Sequence, residues 1–333
     1  MMNSTKMNAK KYSCRFEYIR AVLCGSGQVM FQGNIWTGLL FLCGIFWGAF
    51  EAGTPAVAWG AVVGLVVSTL TGYALRLPLS EGREGLWGFN GILVGCAFPS
   101  FLGNTFLMWL ALIFCSMMTT WVRAGFNNVL APWKVNSLTF PFVFLSWMFL
   151  GAARLLQGLS PEHMAQPELT EHISVALDLS VGAVVTYWLK GIAQVFLIDS
   201  WVTGIFFLVA LYLSSRKAAL WAVVGSVLSF LVTLLYRGSA DSIANGLFGF
   251  SPVLTAIALG ATFYKSGWKS AIWTLFGIVA TVFVQAAMDA MMLPFGLPTF
   301  TAPFCLTTWL FLLPLLKFDE DSPDHSHWHR PTN

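Results

Sequence analysis

Two threonines stand out by their surroundings. Thr139 lies in LTFPF and Thr301 in FTAPF, each two residues before a proline and inside apolar sequence. Proline brings no amide donor and frees the carbonyl four residues back, so each segment offers a carbonyl and a hydroxyl to whatever passes. Gln28 and Gln194 form a second polar pair. Each is followed by a valine, Val29 or Val195, and each comes shortly after glycine (Gly25 and Gly27, or Gly191), where a helix can stop. A third pair is apolar. Phe89 and Phe250 hold the same place in GxxGF, with Leu93 and Leu254 four residues on and so on the same helix face. Phe31 follows Gln28 by three residues, but its positional partner is Leu197. Amide, hydroxyl and carbonyl groups between apolar walls can exchange hydrogen bonds with a solute; they do not suit bond breaking. Taken singly, each proline segment is an ordinary kinked packing helix whose threonine bonds its own backbone. Recurrence at matched places favours residues facing a passage.

The recurrence extends over a whole half. GLWGFNGILVG (85–95) returns as GLFGFSPVLTA (246–256), and SLTFPFVFLSW (137–147) as TFTAPFCLTTW (299–309). GQVMFQGNIWTGLLFL (27–42) matches AQVFLIDSWVTGIFFL (193–208). The elements that must hold the paired residues are therefore duplicated too, and the site is expected between the halves.

Those elements are membrane helices by composition. Of 333 residues 57% are hydrophobic and 10% charged, against roughly 25% charged in ordinary soluble domains. Ten apolar runs, near 35–50, 55–75, 86–101, 104–122, 138–153, 199–214, 218–236, 247–263, 270–287 and 301–316, each cross or nearly cross a hydrocarbon layer about 30 Å thick. A buried soluble helix explains any one run but not ten. No secretory signal is expected at the N-terminus, which lacks an apolar h-region. Five spans per half place the second half upside down relative to the first, an arrangement found in transporters with the site near the midplane. Segments 16–30 and 182–197 precede the first span of each half and are expected as re-entrant half-helices, with an interfacial helix as the alternative. Irregular backbone at that depth must lie inside protein or along a wet cavity. With the N-terminus cytoplasmic, 15 Lys and Arg fall inside and 3 outside, so both termini are expected in the cytoplasm.

Other chemistries lack their residues. No nucleotide-binding motif is present, and a net charge of +3 matches cytoplasmic loops rather than a nucleic-acid partner. The six cysteines show no CxxC spacing, so neither a metal site nor a disulfide framework is expected, and no cofactor. Glu51, Asp199, Asp241 and Asp289 are expected at helix ends or in loops, leaving no ionisable group buried in a span for ion coupling. No His or Asp is placed to activate a Ser, Thr or Cys nucleophile, so no enzyme is expected. His325, His327 and His329 alternate in the polar tail and could bind metal weakly, but a disordered terminus accounts for them. His163 and His172 lie in a polar, acidic 155–181 segment expected as a solvated linker.

The paired motifs, GLWGFNGILVG with LTFPF and GLFGFSPVLTA with LPTFTAPF, resemble the signatures of the urea transporter family over roughly residues 20–317. The first copy departs from the pattern, reading VNSLTFPF without the leading Leu-Pro. The resemblance implies an all-α polytopic membrane protein. It would have two inverted-topology repeats of five transmembrane helices, each with a re-entrant half-helix, and a pore between the halves. The parts would be a cytoplasmic tail (1–15), a first repeat (16–154), an external linker (155–181), a second repeat (182–317) and a second cytoplasmic tail (318–333). The implied activity is passive, channel-like urea transport in the bacterial inner membrane, by a homotrimer with one pore per protomer amid membrane lipid. Pore-lining roles would fall on Gln28, Val29, Phe31, Phe89, Leu93 and Thr139, and on Gln194, Val195, Leu197, Phe250, Leu254 and Thr301. Urea is flat, neutral and strongly polar, and dehydrating it costs several kcal/mol unless its hydrogen bonds are replaced. A channel for ammonia, ammonium, water or other small amides is the alternative, although no histidine lies within a span to serve ammonium.

Overall fold

The computed structural model describes residues 17–169 and 177–317; both expected tails, with the alternating histidines, and the middle of the linker with His172 lie outside them. Among the described residues the secondary structure is helical, with no strand. The first half comprises α1 (17–28), α2 (Ile35–Glu51), α3 (Pro55–Ala74), α4 (Leu79–Arg83), α5 (Phe89–Phe101), α6 (Phe106–Leu130) and α7 (Phe140–Ala153). The second comprises α8 (Val181–Ala193), α9 (Trp201–Ser214), α10 (Arg216–Leu235), α11 (Ala240–Ala244), α12 (Phe250–Ile257), α13 (Trp268–Met292) and α14 (Ala302–Leu312). The order repeats element for element: α3 and α10 both have 20 residues, α6 and α13 both 25. Polar caps set several starts. Asn34 accepts from the Trp36 amide, Thr105 from Met108 and Ser200 from Thr203, each satisfying an amide that the helix cannot.

The ten apolar runs become helices of unequal length. Among the described residues only α3, α6, α10 and α13 are long and apolar enough to cross a membrane alone, while α8 and α9 bend by 73° at their junction. The remaining apolar helices are shorter; α7, with 14 residues, spans about 21 Å. α5, α7, α12 and α14 among them begin at buried or half-buried residues. Pro141 and Pro303 occupy the first turn of α7 and α14, where the missing amide would have had no partner. The prolines therefore start these helices rather than kink them, and no helical carbonyl four residues back is freed. The two segments expected as half-helices are helical, as α1 and α8, each ending in a tight turn closed by a left-handed residue, Phe31 (φ 63°) or Leu197 (φ 59°).

The backbone carries the duplication in its least common conformations. Positive φ pairs Arg76 with Arg237, Gly85 with Gly246, Lys134 with Gly296 and Leu138 with Phe300, at the offset already seen in the sequence. α1 meets α2, and α8 meets α9, at glycines. A Cβ on Gly38 would lie 1.7 Å from the Leu23 carbonyl oxygen, and one on Gly204 2.2 Å from that of Leu189.

Contacts between the halves are exchanged reciprocally. Thr37 donates to the Ala210 carbonyl (3.1 Å) and its counterpart Thr203 to that of Gly44 (2.8 Å). The Trp147 indole donates to the Pro298 carbonyl (2.8 Å) and Trp309 to that of Asn136 (2.9 Å). Such swapping is what a two-fold relation between similar units produces. Most described residues of the linker are exposed, but several of its backbone groups also dock on the helices. Gly103 donates to the Ser160 carbonyl, His163 to Phe101 and Glu168 to Leu293, while Arg154 bonds the Ala165 and Gly296 carbonyls. Met164 is buried beneath it.

Candidate functional site

At the meeting of α7 and α14 the two threonines touch. The hydroxyls of Thr139 and Thr301 are 2.6 Å apart, and that of Thr139 is also 3.3 Å from Cys305 Sγ. Both threonines are 3% exposed. Local sequence explains the placement. Leu138 and Phe300 turn the chain in left-handed conformations (φ 52° and 50°), the threonines cap the helices, and the prolines start them. Neither threonine spends its hydroxyl on its own helix, so both are free to meet at the centre. Two helix N-termini thus converge here, each carrying roughly half a positive charge, a field that opposes cations.

Gln28 and Gln194 are matched in their partners. Gln28 Nε2 donates to the Glu84 carbonyl (2.8 Å) and Gln194 Nε2 to that of Asn245 (3.0 Å). Both acceptors immediately precede a glycine of the GxxGF motif. Gly85 (φ 84°) and Gly246 (φ 70°) press on α1 and α8 so closely that a Cβ would be 2.3 Å from the Gly25 amide and 2.4 Å from that of Gly191. Each glutamine therefore keeps its amide oxygen free of its donor bond. The terminal carbonyls of the half-helices are partly used already: Gly27 accepts from Met30 and Gln32, Gln28 from Phe31 and Gln194 from Leu197. A carbonyl has a second lone pair, so each of these groups can still accept a further hydrogen bond.

A cavity of about 340 Å³ opens beside the threonines. Five of the twelve sequence-derived residues line it: Gln194, Val195, Leu197, Phe250 and Thr301. Val29 and Val195 are buried inside the turns that end the half-helices. Phe89 (8% exposed) and Phe250 (9%) are nearly enclosed, and Leu93 and Leu254 are fully enclosed; Leu254 does not reach this cavity. Phe31 crosses to the other half, its ring edge-on to Phe263 (5.7 Å) and Phe304 (6.1 Å).

Phe300 resolves the Phe31–Leu197 asymmetry and was missed in the sequence. It lies in the same cavity, edge-on to Phe101 (5.7 Å) and Phe142 (4.9 Å). Those two are the counterparts of Phe263 and Phe304. An aromatic ring thus stands on the same pair of partners in both halves, but it comes from position 31 in one and 300 in the other. The signal was available: the offset pairs Phe300 with Leu138, a second Phe–Leu exchange of opposite sense.

The expectation of no buried ionisable group is corrected at Arg123. α6 and α13 run past the apolar stretches ending at 122 and 287, to Leu130 and Met292. Arg123 in α6 is 5% exposed, with both terminal nitrogens 2.9 Å from Glu81 Oε2. Asp289 lies in the last turn of α13, at a helix end as expected; it is partly buried and lines the cavity, bonded by Gln285 and Thr299. Neither carboxylate is at the threonine pair. Among the described residues no cluster of His, Cys, Asp or Glu could hold a metal ion, and the five described cysteines are unpaired.

Apolar helices around a polar meeting point define an integral membrane protein of the helical, polytopic class, built from two similar halves. The chain belongs to the urea transporter family: the family described as UT, Urea transporter, matches residues 19–315. It is 33% identical to Urea transporter 1 of Ovis aries and of Capra hircus over 301 residues, covering 89% of this chain and 77% of each relative. It is 30% identical to Urea transporter 1 of Mus musculus over 300 residues, with the same coverage.

Proposed function

We propose that the protein carries urea passively, down its gradient, through a pore between two halves of opposite membrane orientation. The Thr139–Thr301 contact carries this reading. It is polar, central, contributed equally by both halves, and closed only by a hydrogen bond that a passing solute can replace. As urea arrives, the bond between the hydroxyls is exchanged for bonds to urea, and no buried group is left unpaired at any step. Phe89 and Phe250, with Phe31 and Phe300, provide flat apolar walls that admit a planar molecule and strip its faces of water. The converging N-termini of α7 and α14 repel cations, so the path favours neutral solutes. The reciprocal contacts support a two-fold axis between the halves. With an odd number of crossings per half, such an axis lies in the membrane plane and inverts one half.

The remainder follows the family and the charge pattern. Both termini face the cytoplasm of a bacterial cell, the 155–181 segment faces outward, and the protein is a homotrimer in the inner membrane with one pore per protomer. The cavity by Gln194 is then the outer vestibule. Purified protein in liposomes should pass urea far faster than protein-free liposomes, with ammonia and water permeability changed much less. Equal acceleration of ammonia with no effect on urea would favour the ammonia-channel alternative.

A further inference from the structure

The two hydroxyls that meet at the centre are not equivalent. Thr139 Oγ1 lies 2.6 Å from Thr301 Oγ1 and 3.3 Å from Cys305 Sγ, whereas among the described residues Thr301 Oγ1 has only Thr139. Thr301 lines the cavity and Thr139 does not. Cys305, Thr139 and Thr301 thus form a row of three polar groups, and only the last of them reaches the cavity.

The duplication shows that packing alone does not ask for a thiol here. Cys305 lies one turn beyond Thr301 in α14, its amide donating to the Thr301 carbonyl (3.1 Å), and Val143 lies one turn beyond Thr139 in α7, its amide donating to the Thr139 carbonyl (3.2 Å). The offset of 162 residues between the threonines also pairs Val143 with Cys305. Both are fully buried, at 0% exposed. A two-fold relation sets Thr139 against residue 305 and Thr301 against residue 143. Valine offers no hydrogen bond, so Thr139 alone gains a second partner.

A hydroxyl carries one proton and two lone pairs, and a thiol is a weaker donor and acceptor of the same kind. The row can therefore be ordered in two ways. With Cys305 donating to Thr139 and Thr139 to Thr301, the Thr301 proton is left for a carbonyl oxygen. With Thr301 donating to Thr139 and Thr139 to Cys305, the Thr301 lone pairs are left for an N–H. When Thr301 turns away, Cys305 still holds Thr139, and the orphaned hydroxyl that would otherwise oppose that turn does not arise.

We propose that Cys305 is a positioning residue of the threonine constriction, holding the Thr139 hydroxyl while Thr301 exchanges bonds with a solute that bears both N–H and C=O groups. This rests on the urea reading for the identity of the solute. The serine and valine forms of residue 305 separate a hydrogen-bonding role from a packing one.

The test is a double-mutant cycle on purified protein, read by urea efflux from proteoliposomes per folded protein and by melting in detergent. Cys305→Val places in α14 the residue that α7 already carries. It should slow urea about fivefold when Thr139 is present, the cost of one lost hydrogen bond. In the Thr139→Val background it should change the rate by less than about 1.5-fold, because no hydroxyl is left to hold. Cys305→Ser keeps a donor and an acceptor and should bring flux back to within about twofold of the parent. Melting reads the same row without urea: Cys305→Val should lower the melting temperature more in the Thr301→Val background, where Thr139 loses its last partner, than in the parent. If Cys305→Val does not fold, Cys305→Ala in the same backgrounds decides by the same comparison. Equal slowing with and without the Thr139 hydroxyl, or no slowing at all, overturns the role while leaving urea transport intact. A parent that passes no urea removes the urea reading; unequal melting shifts then support the hold on Thr139, and equal shifts overturn it.

Discussion

The threonine pair allows stability and transport to be driven in opposite directions. Valine has threonine's shape without the hydroxyl. In Thr139→Val, Thr301 loses its hydroxyl partner at 2.6 Å while 3% exposed, and an orphaned buried hydroxyl costs about 1–3 kcal/mol. Thr301→Val should cost less, because Thr139 retains Cys305 Sγ at 3.3 Å. In the double variant neither hydroxyl remains to be orphaned, and replacing both partners with apolar groups of the same shape is close to neutral. Melting in detergent should therefore order parent and double variant together, then Thr301→Val, then Thr139→Val. Flux follows another rule. Each valine removes one group that replaces urea's water at the constriction; a loss of about 1.4 kcal/mol is a tenfold slower crossing. Stopped-flow urea efflux from proteoliposomes, normalised to folded protein, should show each single variant about tenfold slow and the double slower than either. A double variant that melts like the parent and carries urea at the parent rate would refute the reasoning, because the hydroxyls would then serve only each other.

Other outcomes follow from the same structure. Phe89→Ala or Phe250→Ala should raise the flux of methylated urea relative to urea; an unchanged ratio in both folded variants would leave these rings a packing role only. Glu81→Gln should lower stability by about 3 kcal/mol or more, because Arg123 would remain buried in α6 without its counter-charge, and a melting temperature equal to the parent's would contradict the pairing. A cysteine at position 165 should react with membrane-impermeant reagent in intact cells; protection there, with labelling only after permeabilisation, would reverse the proposed topology.

Much of this was legible because the chain states its design twice. A lone proline after Thr139 is ambiguous, whereas the same Thr-x-Pro at Thr301 singled out the two residues whose hydroxyls meet. The helix positions followed from apolar runs, since lipid and protein interior both select for them. What stayed hidden depended on tertiary geometry. Apolar content could not distinguish a proline that kinks from one that begins a helix, because both sit in the same apolar string. It also ended the α6 stretch at 122, although α6 continues to Leu130, which hid the burial of Arg123. The linker looked solvated by composition, yet its backbone groups dock on helix ends, a pairing that side-chain polarity does not encode. Phe300 was hidden because its positional counterpart is Leu138, so no matched ring points to it, and its partners Phe101 and Phe142 are distant in sequence.

Passive urea flow is the central claim, and the most direct measurement is urea flux through the purified protein in sealed liposomes under controlled gradients. The account predicts rapid flux in whichever direction urea is more dilute, at the same rate with or without a sodium or proton gradient, and ceasing when urea concentrations are equal. Urea accumulating against its own gradient when an ion gradient is imposed, or flux that requires one, would contradict it.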